Sequence, residues 1–139
     1  MLFRSGAGQG VDDLLYMTVS TGIGGGIISG GSLLLGARGY AAEIGHQTLV
    51  ADGPMCGCGH PGHLEALASG PAMVRNATQR LAEGANSSIP DYGEKITGET
   101  LAKAAEAGDE LARELFAQAG YYIDATCDGA IATFKAPPH

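Results

Sequence analysis

The chain has 139 residues, which suits one compact domain, and its 45% apolar and 17% charged content is that of a globular protein. Its net charge is −7, and the 8 lysine and arginine residues form no basic run, which argues against binding to nucleic acids and to anionic membranes. No signal peptide or membrane-spanning run is recognisable, so a cytoplasmic location is the default expectation.

The first fifty residues predict a small sheet. The apolar run Leu14–Val19 is typical of a buried strand, and a turn follows it at residues 20–22. The pair Gly30-Gly31 separates two further apolar runs, which indicates a β-hairpin. Another strand is predicted over residues 45–50, so the sheet is expected to extend from Leu14 to Val50.

The second half of the sequence predicts helices. A short helical turn is expected at residues 64–67, and a helix begins at Gly70-Pro71, because proline is favoured in a first helical turn. Further helices are predicted over residues 101–106 and, capped by Gly108-Asp109, from there to about Thr133. The predicted organisation of this single α/β domain is a sheet over residues 1–50, a zinc loop over 51–65 and a helical part over 66–139.

Four side chains with nitrogen or sulfur donors follow the pattern His46-x9-Cys56-x-Cys58-x4-His63. Zinc prefers four such ligands in a tetrahedron, and closely spaced cysteines in a reducing compartment are more often metal ligands than a disulfide. The loop that carries them is too polar to fold by apolar burial, so a metal would supply the missing stabilisation. His60 lies on the same loop and competes with His63 as the fourth ligand. The alternative is two free cysteines among scattered histidines.

Glycines cluster after the first predicted strand, at positions 22, 24, 25 and 26, with Thr21 immediately before them. Glycine allows backbone N–H groups to approach phosphate oxygens closely, and a threonine hydroxyl can donate a hydrogen bond. The spacing is not that of a Walker A loop, because no Gly-Lys-Ser/Thr follows. The cluster is compatible both with a phosphate-binding loop and with a plain strand–turn–strand hairpin.

Three segments together, residues 43–46, 56–65 and 68–72, resemble the signature of the ROK family. That family includes bacterial glucokinases, other hexose and N-acyl-hexosamine kinases, and sugar-responsive repressors. Residues 18–26 are similar to its second phosphate loop. The resemblance implies the C-terminal lobe of an actin-like ATPase (ribonuclease H-like) domain, with a small mixed sheet, C-terminal helices and a zinc loop.

The resemblance also implies roles for individual residues. The residues implied to bind sugar hydroxyls are Glu43, His46 and Glu65. Those implied to meet the phosphates of ATP, used together with Mg²⁺, are Thr21, Gly22, Gly24 and Gly25. The implied zinc ligands are His46, Cys56, Cys58 and His63. The family usually has cysteine at the position of His63, but histidine is also a good zinc ligand, so a Cys2His2 site can survive.

The family's catalytic aspartate comes from an Asn-Asp pair upstream of the matching region, so we expect no catalytic residue in this chain. Asp12, Asp13 and Asp52 lie in no matching context. The chain is therefore expected to be a portion of an ATP-dependent hexose kinase, inactive alone, whose complete form is a homo-oligomer. The alternatives are the sugar-sensing domain of a ROK transcriptional repressor and a zinc-stabilised interaction module without sugar affinity.

Overall fold

A computed structural model describes residues 6–135 of the chain, and the side chains of residues 6–129. Its strands are β1 (Leu14–Val19), β2 (Ile23–Ser29) and β3 (Ser32–Leu33). Within this described part the helices are α1 (Leu64–Ala68), α2 (Gly70–Ala82), α3 (Gly98–Glu106) and α4 (Glu110–Lys135). Single 3-10 turns lie at Ile44–His46 and Ile89–Tyr92. The fold is therefore mixed α/β, with the strands preceding the helices.

The strands form an antiparallel sheet in the order β1-β2-β3. The predicted hairpin at Gly30-Gly31 is confirmed, and both glycines have positive φ, 55° and 73°, which glycine adopts without steric cost. Asp13 fixes this hairpin, because its Oδ1 accepts hydrogen bonds from the Ser29 hydroxyl and the Gly30 N–H at 3.1 and 3.0 Å. The carboxylate of Asp13 therefore has a structural role in the turn.

The strand predicted over residues 45–50 is wrong. Residues Ile44–His46 form a 3-10 turn, and Thr48 makes only an isolated β-bridge, to His63. The physical reason is close packing on β2, since a Cβ on Gly45 would overlap the carbonyl oxygen of Ile23. The chain consequently turns over the sheet here instead of extending it.

The helices enclose the larger of two cores, formed by residues Ala77, Ile89, Leu101, Ala104, Leu111, Ala112 and Leu115. A smaller core joins the sheet to the helices through Ile23, Leu64, Ala68 and Ala119. Helix α1 therefore lies between β2 and α4. The predicted start of α2 is confirmed, and α3 begins earlier than predicted because Thr97 and Thr100 form a capping box. None of the helices in residues 6–135 is long and apolar enough to cross a membrane.

Asp109 holds the start of α4 against the preceding loop, as its predicted capping role requires. Its Oδ1 accepts from the Ala112 N–H at 2.9 Å and the Ser87 hydroxyl at 3.1 Å. Its Oδ2 accepts from the Ser88 N–H at 2.6 Å and the Ser88 hydroxyl at 3.0 Å. Burial alone would raise the pKa of Asp109, but these hydrogen bonds together lower it below its usual value.

We expect Asp109→Ala to lower the free energy of unfolding by about 2 kcal/mol at neutral pH, measured by urea denaturation. Because the pKa of Asp109 is lowered by folding, this stabilisation is present above the unfolded-state pKa, about 3.9, and is lost as the pH falls through the folded-state value. The difference in free energy of unfolding between wild type and variant should therefore become smaller in acid. Asp91→Ala, at an exposed site, serves as the control. A gap that stays constant in acid would contradict a charge-based role.

Candidate metal centre

The loop of residues 51–65 folds back on itself through backbone hydrogen bonds. The Gly62 carbonyl accepts from the N–H groups of Leu49 and Val50 at 2.9 and 3.3 Å, and the Cys56 N–H donates to the His60 carbonyl at 2.9 Å. Gly62 has a φ of 66°, and a Cβ there would overlap the Val50 carbonyl oxygen. Only glycine fits this crossing, which returns the chain to the neighbourhood of the 3-10 turn.

The fold brings all four predicted ligands together into what we call the Cys/His cluster, formed by His46, Cys56, Cys58 and His63. Their donor atoms lie within 4.8 Å of one another. Cys56 Sγ is 3.8 Å from His46 Nδ1, and Cys58 Sγ is 3.2 Å from His63 Nδ1. Zinc bond lengths of about 2.3 Å to sulfur and 2.0–2.1 Å to nitrogen place such atoms about 3.6 Å apart in a tetrahedron. Two thiols and two imidazoles at these distances suit a zinc-like cation.

Of the two competing histidines, His63 and not His60 belongs to the group of four mutually close donors. His60 Nδ1 lies 3.8 Å from the thiol of Cys58, and His60 does not belong to the set of mutually close donors. Its ring stacks on that of His63, with centroids 5.6 Å apart. The geometry therefore favours His63 over His60, and the identity of the fourth ligand stays a prediction.

The two thiols differ in environment. Cys56 is buried, and burial raises its pKa, whereas hydrogen bonding to the side chain of His60 lowers the pKa of the exposed Cys58. A cation bound between them would favour the thiolate form of both. Cys58 therefore lies at the open side of the cluster, and Cys56 at its closed side.

Glu65 connects the Cys/His cluster to the β1–β2 turn. Its Oε2 accepts the Ile23 N–H at 3.0 Å, and its Oε1 accepts the Cys56 thiol at 3.8 Å. A Cβ on Gly22 would lie 2.6 Å from Glu65 Oε2, so a larger residue at that point of the turn would displace the Glu65 carboxylate. This connection was not predicted from the sequence. The sequence feature that could have indicated it is Gly22, to which the resemblance to the ROK family assigns only a contact with phosphate.

Glu43 lies at the edge of the same region. It is exposed and precedes the 3-10 turn, where the His46 N–H donates to its carbonyl oxygen at 3.0 Å. Glu43 and His46, three positions apart in the sequence, are thus joined by one short turn. His46 directs Nδ1 towards Cys56, which leaves Nε2 on the opposite side of the ring.

The glycine cluster is a strand–turn–strand hairpin. Thr21 and Gly22 lie in the β1–β2 turn, whereas Gly24 and Gly25 lie within β2 and pair with β1. None of these glycines has positive φ. A Cβ on Gly25 would overlap the side chain of Ile44, so this position needs glycine for close packing.

A cavity of about 500 Å³ opens beside this turn. Ser20 and Thr21 line one side of it, and Gly70 and Pro71, at the start of α2, line another. The Gly70 N–H donates to the Ser20 carbonyl at 2.9 Å, which holds the turn against α2. A continuous path therefore runs from the Cys/His cluster through Glu65 and the β1–β2 turn to the cavity.

Solved structures match this arrangement closely. A ROK family glucokinase from Streptomyces griseus, in complex with glucose and AMPPNP, has a TM-score of 0.87 and 39% identity, over 96% of this chain and 45% of that one. A ROK family transcriptional regulator, a homologue of the Escherichia coli MLC protein, has a TM-score of 0.84 and 33% identity, over 94% of this chain and 33% of that one. The fold is thus that of the actin-like ATPases, as expected.

The sequence places the chain within that class. The glucokinase of Halalkalibacterium halodurans is 38% identical over 122 residues, which are 85% of this chain and 37% of that protein. The sequence model of the ROK family matches residues 3–137, and the chain belongs to this family. It spans little more than a third of the length of the glucokinase that it matches.

Proposed function

We propose that this chain is the sugar-binding and phosphate-binding portion of an ATP-dependent hexose kinase of the glucokinase type. The observation that carries the proposal is the position of Glu65, whose Oε2 accepts the Ile23 N–H beside the turn that bears Thr21 and whose Oε1 lies next to Cys56. A kinase needs its sugar hydroxyl and its phosphate donor held in one fixed geometry, and a side chain placed between the two proposed sites supports such an arrangement. The likeness to a glucokinase solved with glucose and AMPPNP supports the same assignment.

On the sugar side, we propose that Glu43, His46 and Glu65 bind hydroxyl groups. Carboxylate oxygens accept hydroxyl hydrogen bonds, and the Nε2 of His46, on the side of the ring away from Cys56, is placed to meet another. A zinc ion held by the Cys/His cluster would have a structural role, because all four of its positions would be taken by protein. The four ligands would fix the orientation of the His46 ring.

On the nucleotide side, we propose that the β1–β2 turn receives the phosphates of ATP, which binds with Mg²⁺. The exposed Thr21 hydroxyl can donate, and Gly22 allows close approach of the backbone. Gly24 and Gly25 lie further along β2, where Gly25 allows Ile44 to pack closely on the strand. The cavity of about 500 Å³ beside Thr21 has room for part of a nucleotide.

We assign no catalytic base to the described residues. Asp13 is engaged by the Ser29 hydroxyl and the Gly30 N–H, and Asp12 and Asp52 are exposed. Transfer of the phosphoryl group requires a positioned carboxylate near the sugar hydroxyl. We therefore propose phosphorylation as an activity of the whole protein and expect sugar binding without turnover from these 139 residues.

Sugar binding is tested by thermal unfolding of the chain with and without ligand. Glucose at about a hundred times its Kd should add about 2.7 kcal/mol of stability and raise Tm by several degrees. Fructose, mannose, allose and N-acetylmannosamine form a comparison panel, and sorbitol is a control of similar polarity without the ring. If no sugar in the panel shifts Tm, the chain is an interaction module and the kinase proposal fails.

The second candidate function is sugar sensing in a transcriptional repressor, which the likeness to a ROK family regulator supports. The two functions separate when the whole protein is assayed. A kinase releases ADP in proportion to sugar consumed, whereas a repressor changes its DNA affinity with sugar and shows no turnover. We favour the kinase, because the three proposed sugar-binding side chains and the Thr21–Gly22 turn are all present.

A further inference from the structure

His60 provides a fifth nitrogen or sulfur donor beside a cluster that needs only four. Its Nδ1 lies 3.8 Å from Cys58 Sγ, and its ring is nearly parallel to that of His63, with an angle of 10° between the planes. It is not among the four mutually close donors, so it cannot complete their tetrahedron without moving. The stacked position nevertheless holds a further donor atom next to one metal ligand.

The donors differ in their access to solvent. Cys58, His60 and His46 are exposed, whereas Cys56 and His63 are buried, with His63 only 7% exposed. An incoming cation therefore meets an exposed donor first, and Cys58 with His60, 3.8 Å apart, is an exposed pair that can hold it together. Cys58 is shared by the surface pair and the cluster, because its thiol contacts His63, at 3.2 Å, as well as His60.

We propose that His60 is a transfer ligand through which a zinc-like cation enters and leaves the Cys/His cluster. This inference rests on the metal site proposed above. The cation first binds the Cys58 thiolate and the His60 imidazole at the surface. The His63 imidazole then replaces that of His60 on the cation, while the bond to Cys58 persists. His46 and Cys56 complete the set, and the thiol protons pass to water as the thiolates form.

The proposal predicts effects on rates without an effect on the final complex. A ligand used only along the path lowers the barrier equally for entry and exit, so its loss slows both and leaves the affinity unchanged. His60→Phe keeps an aromatic ring to stack on His63 and removes the donor atom, which separates donation from packing. His60→Cys places a different donor at the same position.

The test compares zinc exchange in the whole chain for wild type and these variants. Zinc content is measured by plasma mass spectrometry, and zinc release by transfer to excess 4-(2-pyridylazo)resorcinol. We expect His60→Phe to keep the wild-type zinc content and to slow release and uptake roughly tenfold. His60→Cys should restore fast exchange. Met55→Ala, on the same loop and 65% exposed, is the matched control and should behave as wild type.

Each contrary result has a distinct meaning. Unchanged exchange rates in His60→Phe would overturn the transfer role and leave the metal site intact. Loss of zinc from His60→Phe would overturn it by making His60 a permanent ligand. A wild-type chain that binds no zinc would overturn both the transfer role and the proposed metal site.

Discussion

Replacing Cys56 with serine is expected to abolish tight zinc binding and to loosen residues 51–65. Cys56 is buried, and its sulfur contacts His46 Nδ1 and Glu65 Oε1. A serine hydroxyl is a poor zinc ligand at neutral pH, so three donors remain where four are needed. We expect the affinity to fall about a thousandfold, which corresponds to about 4 kcal/mol of lost binding free energy.

Two measurements check the Cys56→Ser result. Plasma mass spectrometry gives the zinc content after dialysis, and unfolding with and without a chelator gives the stability that the metal contributes. The chelator should destabilise wild type and leave the variant unaffected. Cys127→Ser is the matched control, because Cys127 lies on α4 and outside the Cys/His cluster. Full zinc content in Cys56→Ser would show that the cluster is not the metal site.

Replacing Glu65 separates its structural contact from its proposed contact with sugar. Glu65→Gln keeps an oxygen for the Ile23 N–H but turns one acceptor into a donor, so we expect sugar affinity to fall roughly 10- to 100-fold with zinc content unchanged. Glu65→Ala also removes the partner of the Ile23 N–H, at a further cost of about 1–3 kcal/mol in stability. Isothermal titration calorimetry and urea denaturation measure the two effects.

The Glu65 variants require a control that changes charge equally. Glu94→Gln suits this purpose, because Glu94 is exposed and distant in sequence from the loop. It should alter neither sugar affinity nor stability. If Glu65→Gln binds sugar as tightly as wild type, Glu65 acts only by joining the turn to the cluster, and the sugar contact is excluded.

Local signals in the sequence predicted much of this molecule. The start of α2 followed from Ser69-Gly70-Pro71, and that of α4 from Asp109, because caps act within one helical turn. The spacing of donors between His46 and His63 likewise predicted the composition of the Cys/His cluster, since a short glycine-rich loop can close only on nearby ligands. In each case the deciding contacts are close in sequence.

Contacts between distant segments were not predictable in the same way. Residues 45–50 have a strand-like composition, yet the fit of Gly45 against Ile23 turns the chain aside. The bond between Glu65 and the Ile23 N–H spans 42 positions, and no periodicity signals it. The choice between His60 and His63 depended on the path of the backbone through Gly62, which spacing alone does not fix.

The division into two cores has a consequence for how the molecule responds to metal depletion. The helical core around Leu101 shares none of its buried residues with the smaller core at Ile23 and Leu64, next to which the ligands lie. If a cation is removed from the Cys/His cluster, the smaller core is therefore expected to loosen first, and Met73, which packs against both cores, couples the helical core to that change. Metal depletion would then begin as a local, reversible opening and not as unfolding of the whole chain.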